Sequence, residues 1–282
     1  MIISEIFGYD VDNLTEEAQN NRSRKHCPFR HSPCTKSSKS DPIGVCSLSD
    51  GETAASLCPV RFLEGNRIFH DAAKLAFGTG AHFAVFPEVR ILKIQDQKDP
   101  EKLRKIGKVD FVLGEIKNDS IVDFAAVEVQ AVYFSGGEIR SPMHHFLQHQ
   151  HLDRTNSDRR PDFRSSAQKR LVPQLQLKVP VFRRWGKKFF VIVDTQFFDA
   201  LPAFAQTTPS NSEITWLTYP IVKCHSQYSM QAPIVVYSEW DEVQNALREG
   251  APPEPSEIVE VLQNKLNGPR AKRPTRFTVD SD

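Results

Sequence analysis

The chain has 282 residues, 39% of them hydrophobic, which is enough for a packed core and excludes wholesale disorder. No apolar run reaches the ~18–20 residues of a membrane helix, and the start MIISEIFGYD lacks the basic-then-apolar order of a secretory leader, so a soluble cytoplasmic protein is expected. Lys and Arg number 36 against 35 Asp and Glu, so the net charge of +1 names no partner and any preference lies in how the charge is distributed.

Residues 1–26 are polar and read as a short helix plus loop. Residues 27–58 hold four of the five cysteines, Cys27, Cys34, Cys46 and Cys58, and Cys224 stands alone. Clustered cysteines in an intracellular protein favour metal ligation over disulfides, the bland alternative being scattered free thiols. The segment CPFRHSPCTKSSKSDPIGVCSLSDGETAASLCP is rich in Pro, Ser, Gly, Asp and Lys and can bury little apolar area, so a staple is expected. Four thiolates fill a tetrahedral shell and leave no open position, which predicts a structural centre; sulfur chemistry alone allows iron or zinc. The chain is accordingly divided into a metal-binding module, residues 1–60, and a larger domain, residues 61–282.

After Pro59, the apolar positions Phe62, Ile68, Phe69, Ala72, Ala73 and Phe77 predict a helix that stops at Gly78. HFAVFPEVRILKI predicts a strand, and KDPEKLRKIGK a charged turn or short helix. Two strand-like runs, 109–116 and 120–134, flank Lys117, Asn118 and Asp119, which predicts a hairpin. A Gly-Gly loop then leads into a His-rich stretch, and DFRSSAQKRLVPQLQLKVPVFRRW predicts a helix ending near Pro173 with a loop to about Trp185. KKFFVIVDTQFFDAL, ITWLTYPIV and IVVYSEW predict strands, SEWDEVQNALREG and PSEIVEVLQNKLNG helices, and the last residues a solvated tail. This order is an α/β pattern with a mixed central sheet flanked by helices.

The hairpin carries the chemistry. A turn centred near residue 118 sets Asp110 opposite residue 126 or 127, diagonal to Glu128 and within bridging reach of one ion. Glu128 and Gln130 share a strand face, while Val127 and Val129 point the other way, into a helix-covered core. Two carboxylates on neighbouring strands suit Mg²⁺, which lowers the pKa of water and neutralises charge developing on a phosphate. The same residues could equally be solvated edge charges. Glu128, however, lies within the apolar run FAAVEVQAVYF, where an unpartnered carboxylate is costly.

Charge is uneven. Between Arg140 and Lys188 there are twelve Lys and Arg but three Asp and Glu, and five further cations lie between Lys265 and Arg276. A basic block following the hairpin is the electrostatic footprint of a polyanion, and candidate contacts are Arg154, Arg159, Arg160, Arg164, Lys169, Arg170, Arg183 and Arg184. His144, His145, His149 and His151 fit helix surface or phosphate contact better than a metal site, because no carboxylate lies among them.

The cysteine module, the VDFVLGEI and VEVQAVYFSGG strands and DFRSSAQKRLVPQL together resemble the NotI-type restriction endonucleases, within the PD-(D/E)XK nuclease fold, from about Cys27 to about Leu201. The resemblance implies a type II endonuclease that hydrolyses double-stranded DNA at a GC-rich palindrome with a GGCC centre. It implies Asp110, Glu128 and Gln130 as active-site residues, Gln130 standing where the wider nuclease pattern has Lys. It implies Mg²⁺ at Asp110 and Glu128, with Glu88 as a further ligand. It also implies structural iron at the four cysteines. A palindromic site implies a homodimer. Two rivals are a non-catalytic nucleic-acid-binding protein built on the four-cysteine centre and a repair or nicking nuclease of the same fold.

Overall fold

The short helix expected in residues 1–26 forms at Glu16–Ser23, but the residues before it, expected as loop from their polarity, form strands. Strand β1 (Ile2–Ile6) is followed by β2 (Tyr9–Asp10), helix α1 (Glu16–Ser23), and a short pair, β3 (His26–Cys27) and β4 (Ser32–Pro33). Strands β5 (Val45–Ser49) and β6 (Ala54–Ser56) complete a four-stranded sheet ordered β2-β1-β5-β6. Polarity misled here because Glu5 is fully buried. The Arg61 Nε donates to its carboxylate at 2.9 Å and the Ser47 hydroxyl at 2.6 Å, so the charge is satisfied inside the core. The structure is a computed structural model that describes residues 1–36, 38, 40–95, 103–135, 140–150, 152, 160–248, 254–268 and 274–275.

Helix α2 (Arg67–Phe77) forms where the apolar spacing predicts it and buries Ile68, Phe69, Ala72 and Ala73. Strand β7 (Phe83–Gln95) pairs antiparallel with β8 (Leu103–Lys117), which pairs antiparallel with β9 (Ser120–Val129). Residues 103–108, expected in a charged turn or helix, extend β8; residues 96–102 lie outside the described residues. The pairing with β7 wins over local charge because every residue added extends the ladder. Strand β10 (Tyr133–Ser135) and helix α3 (Arg140–His149) follow.

Strand β11 (Arg160–Asp162) leads into α4 (Phe163–Ser166), a π-turn (Ala167–Leu171) and α5 (Val172–Trp185). The helix expected to stop at Pro173 therefore runs on to Trp185. Pro173 falls in the first turn after the π-turn, where a missing N–H costs little. Leu171, Leu175, Val179 and Phe182 also form one continuous buried stripe that holds the helix down. Then come β12 (Phe189–Asp194), α6 (Thr195–Asp199), β13 (Ile214–Tyr219), β14 (Ile221–Cys224), β15 (Gln227–Met230), β16 (Ile234–Ser238) and α7 (Trp240–Arg248).

The central sheet has the order β16-β13-β12-β9-β8-β7. Strand β12 runs parallel to both β9 and β13, and the outer pairs are antiparallel, so the sheet is mixed. Its two faces alternate cleanly. Ala125, Val127, Val129, Phe190 and Ile192 pack with α2, as expected for Val127 and Val129. Ala126, Phe189, Val191 and Val193 pack with Leu175, Val179 and Phe182 of α5. Glu128 therefore faces α5. The core on that side also takes in Ile3, Ile6, Val45 and Leu48 of the amino-terminal sheet.

The chain forms two compact units, Met1–Leu247 and Arg248–Asp282. The second holds helix α8 (Pro255–Leu266), opened by a capping box between Glu254 and Glu257. No helix among the described residues is long and apolar enough to cross a membrane.

Candidate active site

The hairpin turn sets the register of the site. Asn118 and Asp119 take left-handed φ values of 50° and 57°, which makes a two-residue turn whose twist suits a hairpin. A bulge at Glu115 and Ile116 then shifts the pairing by one residue, so that Phe111 faces Val127. Continued one step beyond the ladder, this register sets Asp110 opposite Glu128 rather than diagonal to it. The Val129 N–H donates to Asp110 Oδ2 at 3.0 Å, fixing the aspartate against β9.

Glu88 lies on the strand beyond. The pairs Pro87 with Phe111 and Val89 with Val109 bracket the position where Glu88 faces Asp110. It sits inside β7, in a left-handed conformation with φ 57°. Its exposed carboxylate is bonded to Lys108 Nζ at 2.7 Å, which holds its pKa down. Glu88, Asp110 and Glu128 thus occupy one level across three adjacent strands.

Two clefts open at this level and share Asp110. One is lined by Arg30, Pro59, Glu88, Asp110 and Val129. The other is lined by Lys36, Asp110, Glu128, Gln130, Lys169 and Arg170. Gln130 lines the second cleft, but its Nε2 donates to the Ala131 carbonyl at 2.6 Å rather than to either carboxylate.

Glu128 is 5% exposed. Its Oε1 accepts from Lys178 Nζ at 2.6 Å, and Lys178 is itself buried. Its Oε2 is buried and has no hydrogen-bond partner. Burial first, then the charge of Asp110, pushes the Glu128 carboxyl up to about 7 against the pull of Lys178. Burial likewise raises Asp110. Lys178 is one of the twelve cations of the basic block, and the structure places it in the core. The signal was available: Lys178 sits beside Val179, between Leu175 and Phe182, on the apolar stripe of α5.

The remaining basic candidates separate into groups. Lys169 and Arg170 border the second cleft, and the Arg170 guanidinium stacks over the Tyr133 ring, 3.3 Å from its centroid. Arg160, Arg164 and Arg184 are exposed, and Arg183 pairs with Glu213 at 2.6 Å. Arg154 and Arg159 lie outside the described residues. On α3, His144 and Arg140 approach Asp41, and the exposed His145 and His149 rings lie 4.4 Å apart on one helix face; His151 lies outside the described residues.

The four clustered cysteines are free thiols. Burial raises Cys27, Cys34 and Cys46, and the charge of Cys58 raises all three further. Backbone N–H groups of Phe29 and Arg30 point at the Cys27 sulfur, and that of Lys36 lies 3.4 Å from Cys34 Sγ. Gly8, at φ 83°, lets β1 and β2 turn against this loop, since a Cβ there would run into Pro28. Among the described residues, no group of three or more His, Cys, Asp and Glu is arranged to hold a metal ion.

A family model described as restriction endonuclease NotI matches residues 5–231. Comparison with curated proteins finds no match.

Proposed function

The chain belongs to the NotI restriction endonuclease family, and on that premise we propose that Asp110 and Glu128 form the Mg²⁺-dependent centre at which it hydrolyses DNA. Membership itself makes the protein a type II restriction endonuclease that cleaves double-stranded DNA at a specific site. The observation that carries the finer reading is the facing pair Asp110 and Glu128, with Glu128 Oε2 buried, unpartnered and beside an open cleft. A buried carboxylate oxygen without a donor is costly unless a cation joins it. One or two carboxylates are the usual protein share of a Mg²⁺ shell, the rest being water and phosphate oxygens, and Asp110 and Glu128 would supply that share.

Mg²⁺ held there would lower the pKa of water and offset charge on the phosphate. Asp110, pinned by the Val129 N–H at Oδ2, lines both clefts. Water attacks phosphorus in line, its proton leaving to solvent. The bond to the 3′ oxygen breaks, and that oxygen takes up a proton, leaving 5′-phosphate and 3′-hydroxyl ends. Gln130 would turn from Ala131 to orient the water, and Glu88 would supply a further oxygen to the same ion. Lys169 and Arg170 on the rim would hold the phosphate backbone, and the exposed Arg160, Arg164, Arg183 and Arg184 are proposed as further phosphate contacts, as are Arg154 and Arg159, which lie outside the described residues.

The cysteine module, residues 1–60, is proposed to hold a structural iron at Cys27, Cys34, Cys46 and Cys58, zinc being the alternative with the same sulfur chemistry. What supports it is the donor set: four cysteines outside any disulfide, three of which feel the charge of Cys58, with backbone N–H groups at Cys27 and Cys34. The site is proposed to be a GC-rich palindrome with a GGCC centre, read by a homodimer in the cytoplasm.

The test is a plasmid digest with GC-rich DNA, in Mg²⁺ and in EDTA. Discrete bands that require Mg²⁺ are expected, and end mapping gives the site. Intact DNA in both lanes across several GC-rich substrates would refute the reading and favour a binding protein.

A further inference from the structure

We propose that Lys178 is a positioning residue of the cleavage reaction: its ammonium holds Glu128 by Oε1, leaving Oε2 as the oxygen that takes the divalent cation. This rests on the Asp110 and Glu128 reading above.

Three observations carry it. First, the contact is short and dry. Nζ and Oε1 lie 2.6 Å apart, and both side chains are buried. Taking a lysine out of water costs several kcal/mol unless its partner is well placed, and the α5 stripe would otherwise be filled by an apolar side chain. Packing against Leu175, Val179 and Phe182 therefore does not explain a lysine here; a carboxylate does.

Second, the geometry divides the two oxygens of Glu128. Oε1 is anchored and Oε2 has no partner. A carboxylate free to rotate would offer either oxygen to an ion. One held by a fixed ammonium presents a single oxygen in one direction, and such pre-set orientation is what a metal-assisted in-line attack needs.

Third, no other described cation does this. Among the described residues, Lys178 is the one cation hydrogen-bonded to either carboxylate. Lys169 and Arg170 stay at the rim, and Gln130 is neutral and bonded to Ala131. The charge of Lys178 also reaches Asp110, so it offsets repulsion within the pair. The cation comes from helix α5 through the sheet face, not from the strand that carries Glu128.

Lys178→Met keeps the length of the stem and removes the charge. Single-turnover cleavage should fall about 100-fold or more, a loss typical of removing one pre-organised electrostatic contact. Mn²⁺ affinity by calorimetry should hold or rise, because a competing positive charge has left the carboxylates. A role in folding alone would not produce that split. Returning a cation from β9 in K178M/Q130K should recover at least about tenfold of the lost rate, since residue 130 lines the same cleft as Glu128. Should K178M fail to fold, K178M/Q130K is compared with wild type in its place. Cleavage by K178M within threefold of wild type would overturn the proposal, as would a folded K178M/Q130K that does not cleave. Wild-type protein that cuts no DNA would instead refute the endonuclease reading, so the two failures are distinct.

Discussion

The Ser56 N–H donates to Oδ2 of Asp194 at 2.9 Å, while Oδ1 of the same aspartate accepts from the Phe197 N–H at 2.8 Å. One buried carboxylate thus caps α6 at the end of the parallel strand β12 and ties down the last strand of the cysteine module. Val132 N–H, just beyond Glu128, donates to the Ser56 carbonyl at 2.8 Å, so the module is stitched to the end of β9 as well.

Asp194→Ala removes a cap and leaves buried N–H donors unsatisfied, and a loss of about 2–4 kcal/mol is expected. Calorimetry measures it. A melting temperature equal to wild type would show that the link between module and sheet is not sustained by this residue.

Asp110→Asn keeps an acceptor for the Val129 N–H and removes the charge a cation needs. The variant should melt near wild type and bind DNA, yet cleave at least about 1,000-fold more slowly, as expected when transition-state charge stabilisation is lost. Gel shift and single-turnover cleavage on one preparation check both halves. Normal cutting would remove Asp110 from the mechanism.

Stability should depend on pH in a defined sense. Burial pushes Glu128 and Asp194 up to about 7. A raised carboxyl binds more protons in the folded than in the unfolded state, so folding is favoured at low pH and loses stability as pH climbs from the ordinary carboxylate range to about 7. Each group contributes on the order of 3 kcal/mol across that window. Carboxylates held low, such as Asp41 and Asp50, act oppositely but only in more acid solution. Metal-free protein should therefore melt lower at pH 7 than at pH 5, and E128Q should flatten that slope. Cations need the ionised carboxylate, so Mg²⁺ affinity should rise through pH 7. A melting temperature that rises from pH 5 to 7 would contradict this.

Arg170→Ala should weaken DNA binding about five- to tenfold at moderate salt and reduce the slope of log affinity against log salt by about one, as loss of one phosphate contact does. Titration at several salt concentrations reads both. An unchanged slope would place Arg170 off the DNA.

Elemental analysis of protein purified without added metal should give about one iron per chain, and Cys46→Ser should lower both the iron content and the melting temperature. One zinc would correct the metal and keep the site, whereas no metal and an unchanged melt would mean four ordinary thiols.

The sequence by itself determined the elements with strong period. Helix α2 and strands β12, β13 and β16 follow from apolar spacing, because a stripe or an alternation has one buried solution. It also determined the hairpin, since Asn118 and Asp119 accept left-handed φ, and through the hairpin it brought Asp110 near Glu128. Tertiary structure decided what local polarity hides. Glu5 lies in a buried strand because Arg61, 56 residues away, satisfies it. Residues 103–108 are strand because β7 lies beside them. The bulge at Glu115, which makes the two carboxylates face each other, leaves no mark in turn chemistry. Lys178 was the largest change of meaning. As a letter in a basic run it is a surface charge. Only the packing of α5 onto the sheet, with a helix running past Pro173, shows that it shares the dry interior with Glu128, and burial is what turns a common lysine into the partner of a specific carboxylate.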